Sequence, residues 1–327
     1  MEKNVTIYIN MPVYNADSFL RTCLESVKVQ TYPNFVCVMV DDGSTDSSNE
    51  ICKEYTKDNR FVLLKQENQG VGAARRTALN YILENASEND FMTFLDADDT
   101  IKQDFFERFI TTLKNNATHS KTTLYLSGYN EINGDKTITH LHQSNLPVVY
   151  GDFRQDMEIL DSFLQTLWKN FYNLSLIKEH NLNFDPYFRR TSDIAFDFEY
   201  AFFVDKYVFI NECFYNYYNI STSVSHGAAS LTEEAFEIML KSFKKRVHFL
   251  TEFNIPCKDR VLNKHISILV FKLIHTSWYK RLYELKQYAN PSDTRNSGEK
   301  RVIFCLTHNM LWVYRLYLKC KALFIKP

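Results

Sequence analysis

The sequence predicts an α/β fold, in which a mostly parallel, Rossmann-like sheet carries helices on both faces, followed by a helical C-terminal region. Short apolar runs alternate with segments of helical spacing over the first hundred residues, and such alternation is typical of parallel, helix-covered sheets. After residue 230 this pattern gives way to amphipathic segments of helical period. The 327 residues, 45% hydrophobic and 24% charged, suffice for one large domain or two ordinary ones.

Four apolar runs are predicted as the parallel strands of the sheet. They are Val5–Met11, Phe35–Val40, Phe61–Lys65 and Phe91–Leu95. Pro12 is expected to end the first run, because proline lacks the N–H that a strand ladder needs. Polar residues follow every run, and ligands of such sheets bind at the carboxyl ends of the strands. We therefore expect a ligand site at this edge of the sheet.

Beyond Thr100 the pattern of the sequence changes. The "NGD" at Asn133–Asp135 predicts a hairpin between two strands. Residues 153–171 are predicted as a helix, and "YVFI" and "FYNYY" as two separate short strands. From Leu231 onward three helices are predicted, separated near residues 254–258 and 290–299. We therefore predict two domains, a catalytic domain over residues 1–230 and a helical region over 231–327.

Charge is unevenly distributed between these two parts. The chain has a net charge of -1, but the part from Leu231 onward carries +10 and the preceding part -11. This asymmetry predicts an acidic catalytic part and a basic part that meets an anionic partner. A peripheral contact with an anionic membrane, a homo-oligomer and an anionic acceptor polymer all remain open. Nucleic acid is not expected, because no recognition module is visible.

Cysteine usage and the N-terminal segment predict a cytoplasmic location. The seven cysteines are scattered, odd in number and without a CxxC pair, which is typical of reduced thiols. The chain enters a strand pattern directly, without the apolar region of a signal peptide. No apolar run approaches the ~20 residues that span a bilayer. Any membrane contact is therefore expected to be peripheral, on the inner face of the cell membrane.

Three aspartates, Asp96, Asp98 and Asp99, stand within four positions after the fourth apolar run. Carboxylates this close repel one another unless a positive charge lies between them. Mg²⁺ and Mn²⁺ prefer oxygen ligands, and Mg²⁺ often binds one or two carboxylates together with substrate phosphates. The motif therefore predicts a divalent cation, although a polar loop that caps the next helix remains the alternative.

The segment "NQGVGAARR" follows the third strand rather than the first and lacks a third glycine. A Rossmann dehydrogenase is therefore not indicated. Arg75 and Arg76 stand near a helix start, where a cation opposes the macrodipole. We expect them to face an anion such as a nucleotide phosphate, or simply solvent.

Taken together, the motifs resemble family 2 glycosyltransferases with the GT-A fold, of the kind that assemble bacterial polysaccharides and other glycans. The resemblance rests on "MPVYN", "VDDGSTD", "NQGVGAAR" and "FLDADD" in this order, and it continues through "LWKNFYNLSLI", "TSDIAFDFEYAF", "YVFINECFYNYY" and "STSVSH". It covers residues 5–226. It implies a metal-dependent enzyme that transfers a sugar, with inversion, from a nucleotide-sugar donor to a hydroxyl of a glycan or lipid-linked acceptor. The expected donor is a UDP-sugar. The implied cofactor is Mn²⁺ or Mg²⁺.

The resemblance also implies a role for each matching position. The nucleoside contacts are implied at Pro12 and Tyr14 in the base pocket, Asp42 with Asp41 beside it at the base edge, and Asn68, Arg75 and Asp96 at the nucleoside and ribose. Asp98 is implied as the main metal ligand, with Asp96 also near the metal. His226 could reach the metal or the diphosphate, although a lone histidine is more often surface.

The implied general base is Asp193, since an inverting transfer needs one carboxylate to take the proton of the acceptor hydroxyl. A helix N-cap is the alternative role. Ser192 stands where the family has Glu, and Asp197 or Glu199 could replace that carboxylate, although Asp197 is expected to be a solvated helix residue. Trp168 fits the family's acceptor side, where its ring could stack on a sugar or simply pack in the core.

Two other classes of protein remain open at this stage. Ser192 and Arg76 depart from the family pattern, so a nucleotide-sugar-binding protein with impaired catalysis is possible. A nucleotidyltransferase would also bind a nucleotide and Mg²⁺ at strand ends. That class relies on a Gly-rich basic loop after the first strand, which "MPVYNADSF" lacks.

Overall fold

The computed structural model describes residues 5–161, 163–164, 166–185, 192–219 and 233–324, without the side chains of residues 234, 235 and 319–324. The chain divides into two compact units, residues 1–227 and 228–327. Each unit is described separately below.

The first unit alternates strands and helices along its N-terminal half. Its elements are β1 (Ile7–Val13), α1 (Asp17–Lys28), β2 (Phe35–Asp41), α2 (Ser48–Tyr55), β3 (Phe61–Lys65), α3 (Val71–Asn85), β4 (Phe91–Phe94), β5 (Thr100–Ile101), α4 (Phe105–Asn115), β6 (Thr123–Asn133), β7 (Lys136–His140), β8 (Val148–Asp152), α5 (Met157–Leu160), β9 (Asn170–Asn173), α6 (Leu174–Glu179), α7 (Ser192–Ala201) and β10 (Lys206–Tyr218). The four predicted parallel strands are all present.

These strands form one mixed sheet in the order β3-β2-β1-β4-β9-β6-β10-β5. The pairs β3–β2, β2–β1 and β1–β4 are parallel. Strand β9 runs antiparallel to both β4 and β6, while β6 and β10 are parallel. Strands β6 and β7 form the predicted hairpin. The α/β fold with a mostly parallel, helix-covered sheet is confirmed.

The prediction that Pro12 ends the first strand is wrong. Strand β1 continues through Pro12, which pairs in register with Val40 of β2. On its other side, β1 pairs with β4 only as far as Asn10, opposite Phe94. The oxygen of Asn10 accepts from the backbone N–H that follows β4, so Pro12, two residues on, faces the same side where no strand remains. Its missing N–H therefore costs no ladder hydrogen bond.

Two other expectations for this unit are corrected. The predicted helix over residues 153–171 is wrong, because among the described residues of this stretch the helix covers Met157–Leu160 alone, and β9 begins at Asn170. The predicted pair of short strands is a single strand, β10, whose pairing with β6 is irregular between Ile210 and Tyr215. Strand β8, which pairs with β10, was not predicted.

In the second unit, every described element is helical. It comprises α8 (Glu233–Glu252), α9 (Lys258–Leu273), a 3₁₀ segment (Tyr279–Tyr288), α10 (Ser297–Thr307) and α11 (Leu311–Phe324). The predicted helical character is confirmed, but the number of three helices is wrong. The break before α11 falls at Asn309, whose φ of +60° is left-handed, a conformation that asparagine tolerates after a helix end. No described helix is long and apolar enough to cross a membrane.

Candidate active site

The loops that follow β1 and β2 are tied together at the carboxyl edge of the sheet. The side-chain oxygen of Asn15 accepts from the backbone N–H of Thr45 at 2.8 Å, and the backbone N–H of Asn15 donates to Ser44 Oγ at 3.1 Å. Asn15 has a φ of +46°, which turns the chain sharply after the strand. This turn leaves the neighbouring Tyr14 side chain 49% exposed.

Asp42 holds the loop that follows β3. Its carboxylate accepts from the backbone N–H groups of Gln69 and Gly70 at 2.9 and 2.8 Å, and it is only 2% exposed. Beside it, Gly43 has a φ of +74°, and a Cβ there would lie 2.9 Å from the backbone nitrogen of Asn68. A glycine is therefore required for the two loops to approach. Asn68 itself is exposed at this junction.

Asp41 organises the turn that leads into α2. One of its oxygens accepts from the backbone N–H of Ser44 at 3.0 Å, and the other accepts from Asn49 Nδ2 at 2.6 Å. Lys65 at the end of β3 donates to Asn49 Oδ1 at 2.7 Å. Asp41 is 5% exposed. Of the positions implied at the base, Tyr14 and Asn68 are thus accessible, while the aspartates and Pro12 are buried.

Arg75 joins three elements that are distant in the sequence. It lies on α3, its Nη2 is 2.9 Å from Asp96 Oδ1 beyond β4, and its Nη1 is 3.5 Å from Ser192 Oγ at the start of α7. The side chain is 6% exposed, so the alternative that Arg75 faces solvent is wrong. The anion that Arg75 faces is a carboxylate of the protein itself. Arg76, in contrast, is exposed.

The third aspartate of the acidic motif is held by β10. Tyr215 donates its hydroxyl hydrogen to Asp99 Oδ2 at 2.6 Å, and the backbone N–H of Tyr218 donates to Asp99 Oδ1 at 2.9 Å. The Tyr215 oxygen in turn accepts from the backbone N–H of Asp96 at 3.3 Å. Tyr215 does not stand out in the sequence, because it is one of several aromatic residues of the same strand. These bonds fix the loop that presents Asp98.

The acidic motif concentrates negative charge. Burial, and next to it the charge of Asp96, raises the pKa of Asp98 to about 6. Burial and the other two carboxylates raise the pKa of Asp99 to about 9, although the bonds from Tyr215 and Tyr218 oppose this. Of these three carboxylates, the one that forms an ion pair with Arg75 is Asp96. The motif therefore attracts further positive charge.

Asp96 and Asp98 provide hard oxygen donors suited to Mg²⁺ or Mn²⁺. Within the described ranges, no cluster of three or more His, Cys, Asp or Glu side chains could hold a metal by itself. Two carboxylates fit a cation that takes its remaining ligands from a bound diphosphate and water. His226, the other residue implied at the metal, lies outside the described residues.

Asp193 is the second residue of α7, which begins at Ser192, so it lies within the first turn rather than at the N-cap. Its Oδ1 accepts from the backbone N–H of Ile194 at 2.9 Å, and the side chain is half-buried. Burial raises its pKa, and the nearby charge of Arg75 opposes that shift. A carboxylate with a raised pKa is a better proton acceptor. The structure thus brings Asp193 to Arg75, and through it to the acidic motif.

Asp197 lies one turn further along α7, and the expectation that it is solvated is wrong. It is 2% exposed and accepts a hydrogen bond from the Tyr172 hydroxyl at 2.5 Å. Burial raises its pKa well above the usual range, while the bond from Tyr172 opposes the shift. Glu199 is half-buried. The buried contact with Tyr172 gives Asp197 a role in packing α7 against β9.

Trp168 and Lys169 are also buried. Trp168 is 6% exposed and stacks on Tyr215 with ring centroids 4.2 Å apart, so the core-packing interpretation of this tryptophan is confirmed. Lys169 is fully buried, and its ammonium donates to the backbone oxygens of Phe163 and Thr166 at 2.6 and 3.2 Å. Burial lowers the pKa of Lys169 to about 7.

This fold and this acidic site are those of an α/β enzyme of the glycosyltransferase class, and the comparisons with known proteins agree. The family model described as glycosyl transferase family 2 matches residues 8–175. EpsH of Bacillus subtilis, whose name describes it as a glycosyltransferase, is 30% identical over 285 residues, covering 83% of this chain and 78% of EpsH. The chain belongs to glycosyl transferase family 2.

Two further similarities extend this result. The glycosyltransferase GlyA of Streptococcus pneumoniae is 29% identical over 320 residues, which cover 91% of this chain but only 43% of GlyA. The crystal structure of S. aureus TarS 1–349 in complex with UDP-GlcNAc superposes with a TM-score of 0.67 at 16% identity, covering 95% of this chain and 89% of TarS 1–349. The TarS similarity extends the shared fold over nearly the whole chain.

Proposed function

We propose that this protein transfers a sugar, with inversion, from a nucleotide-sugar donor to a hydroxyl of a glycan or lipid-linked acceptor in the synthesis of cell-surface polysaccharide. The observation that carries the proposal is the contact of Arg75 with Asp96 and Ser192. This contact brings the acidic motif and the helix of Asp193 into one site. TarS, which shares the fold, was crystallised with UDP-GlcNAc, so UDP-sugars are the first donors to test.

In this proposal Asp193 is the general base. It accepts the proton of the acceptor hydroxyl while the hydroxyl oxygen attacks the anomeric carbon and the nucleoside diphosphate departs. Its raised pKa suits that role. Tyr14 and Asn68 are the accessible contacts for the nucleoside. Asp42 is proposed at the base edge, where it also holds the Asn68 loop in place.

Asp98, with Asp96, would hold the divalent cation. When bound, Mn²⁺ or Mg²⁺ would stabilise the negative charge of the departing diphosphate. The ion pair with Arg75 would hold the Asp96 side chain in place. The same proposal has the enzyme acting in the cytoplasm, at the inner face of the cell membrane.

The test is a panel of nucleotide sugars, assayed for release of nucleoside diphosphate with Mn²⁺ or Mg²⁺. We expect one donor, a UDP-sugar, to be turned over. Asp193→Asn should keep donor affinity and lower turnover by about 10²–10⁴-fold, whereas the exposed control Asp135→Asn should change neither. Turnover by Asp193→Asn at the wild-type rate would exclude Asp193 as the general base.

Ser192 favours a second candidate function, a protein that binds nucleotide sugars without turnover. Ser192 is 2% exposed, and its hydroxyl lies beside Arg75, at the position where the resembling family has a carboxylate. Donor binding in calorimetry with no turnover of any donor in the panel would favour this candidate. Restored turnover in Ser192→Glu would identify the substitution as its cause.

A further inference from the structure

Helices α10 and α11 form a hairpin in the second unit. One side of α10 is buried, and it carries Val302, Ile303 and Leu306. Its other side carries the exposed residues Arg301 and Phe304, spaced three apart and therefore on one face. Phe304 is 49% exposed although it belongs to a packed helix.

Helix α11 continues this exposed side. Trp312, Leu316 and Tyr317 are 54%, 52% and 42% exposed. Arg301 Nη1 donates to the Tyr317 hydroxyl at 2.9 Å, so the exposed faces of the two helices are adjacent. We call the set of Arg301, Phe304, Trp312, Leu316 and Tyr317 the hairpin surface.

The side chains from Lys300 to Pro327 that carry a full charge are all basic. From Lys300 to Pro327 the sequence contains six lysines and arginines and neither Asp nor Glu. In the described part of the chain, no salt bridge includes Lys300, Arg301 or Arg315. A surface with four exposed apolar or aromatic side chains and unneutralised cations fits a partner that is both apolar and anionic.

We propose that the hairpin surface docks on an anionic lipid bilayer. The apolar side chains would enter the headgroup region, and the basic side chains would lie among the lipid phosphates. A second copy of the chain fits less well, because a symmetric contact would place like charges together. A soluble anionic polymer would leave Trp312 and Leu316 without an apolar partner. The inference rests on the proposed function for its purpose, but its test needs neither donor nor acceptor.

The test is flotation of the full chain with vesicles of phosphatidylcholine alone or mixed with phosphatidylglycerol. We expect binding only to the anionic vesicles, weakened by added salt. Trp312→Ser and Leu316→Ser should each lower the partition coefficient about tenfold, while Leu146→Ser, a control that is 60% exposed in the first unit, should not. Arg301→Gln should lower it about fivefold, and the exposed control Lys57→Gln should not.

Two kinds of result would overturn the inference. One is the absence of binding to anionic vesicles, or binding that Trp312→Ser and Leu316→Ser leave unchanged. The other is a change of oligomeric state in these variants, seen by sedimentation velocity without any vesicle binding, which would assign the surface to a second copy. Unchanged melting temperatures would confirm that the variants fold. A chain that binds vesicles yet turns over no nucleotide sugar would contradict only the proposed function.

Discussion

The carboxylates of the acidic motif differ in their partners, and this difference supports the separate roles proposed for them. Asp96 is paired with Arg75, and Asp99 is bonded to Tyr215 and is 1% exposed. Asp98 has no ion pair within the described ranges and remains half-buried at the edge of the sheet. Asp98 is therefore the carboxylate available to a cation, while Asp99 fixes the loop.

We predict that Asp98→Asn removes the metal dependence of the protein. Asparagine keeps the size of the side chain but loses the charge, and a catalytic cation supplies several kcal/mol of charge stabilisation. Turnover should fall by at least about 10²-fold. UDP affinity, measured by calorimetry, should become the same with and without Mn²⁺. Wild-type turnover in excess chelator would exclude the metal from the mechanism.

The close approach of Gly43 to the Asn68 loop supports another prediction. In Gly43→Ala the new Cβ would meet the backbone nitrogen of Asn68 at 2.9 Å, at a φ of +74°. The Asn68 loop must then move, so we expect UDP affinity to fall about tenfold, in line with ~1–3 kcal/mol of local strain.

Gly134→Ala is the matched control, since Gly134 also has a positive φ, +57°, but no atom lies near its Cβ position. It should lose some stability without losing UDP affinity. Equal UDP affinity in wild type and Gly43→Ala would show that the Asn68 loop does not contact the nucleotide.

Strand β10 and the segment before β9 hold the acidic motif in place. Strand β10 pairs with β5 immediately after the acidic motif, with Tyr215 opposite Ile101, and so anchors that motif at both ends. The segment before β9 is closed by the buried Lys169, which donates to Phe163 and Thr166. Trp168 beside it packs on Tyr215. The orientation of the acidic motif thus depends on elements far along the chain.

We predict that Lys169 makes stability depend on pH. Burial lowers its pKa to about 7 from 10.5, so between these values the unfolded chain holds a proton that the folded chain lacks. The free energy of unfolding should therefore rise with pH from about 7 upward, by at most about 1.4 kcal/mol per pH unit from this group. Below pH ~7 both states are protonated and the contribution of this group is constant.

The measurement is urea unfolding of wild type, Lys169→Met and the exposed-lysine control Lys178→Met between about pH 7 and 9.5. The difference in unfolding free energy between wild type and Lys169→Met should change along this range. The difference for Lys178→Met should stay constant. Parallel curves for Lys169→Met would show that Lys169 has the same pKa in the folded and unfolded chain.

At the scale of the whole molecule, charge and chemistry are divided between two parts. The part before Leu231 carries -11 and the part from Leu231 onward carries +10. All candidate site residues within the described ranges lie in the first unit, residues 1–227, and the hairpin surface lies in the second. Donor binding and membrane binding should therefore be separable.

We predict that a fragment of residues 1–230 folds by itself and binds UDP with an affinity within about threefold of the full chain, because it contains every proposed donor contact. Calorimetry with UDP and Mn²⁺ tests this, after a cooperative melt has shown that the fragment is folded. The fragment should not float with anionic vesicles. A folded fragment without UDP affinity would show that the second unit completes the donor site.

The order of apolar runs and polar motifs along the chain is sufficient to predict the fold class and the edge of the sheet at which the candidate site lies. Parallel strands bring their carboxyl ends to one edge of the sheet, so the polar motifs that follow the apolar runs are expected to lie together at that edge. Which side chains meet at that edge depends on contacts between segments that are distant in the sequence. Arg75 and Ser192 are 117 positions apart, and Asp99 and Tyr215 are 116 positions apart. Such long-range pairs produce no periodic pattern in the sequence. The spacing of apolar residues indicates which side chains are buried, but not which side chains they contact. For the same reason the apolar spacing of residues 153–171 predicted one long helix, whereas the described residues of this stretch form the short helix Met157–Leu160, a connecting segment bonded to Lys169, and the start of β9.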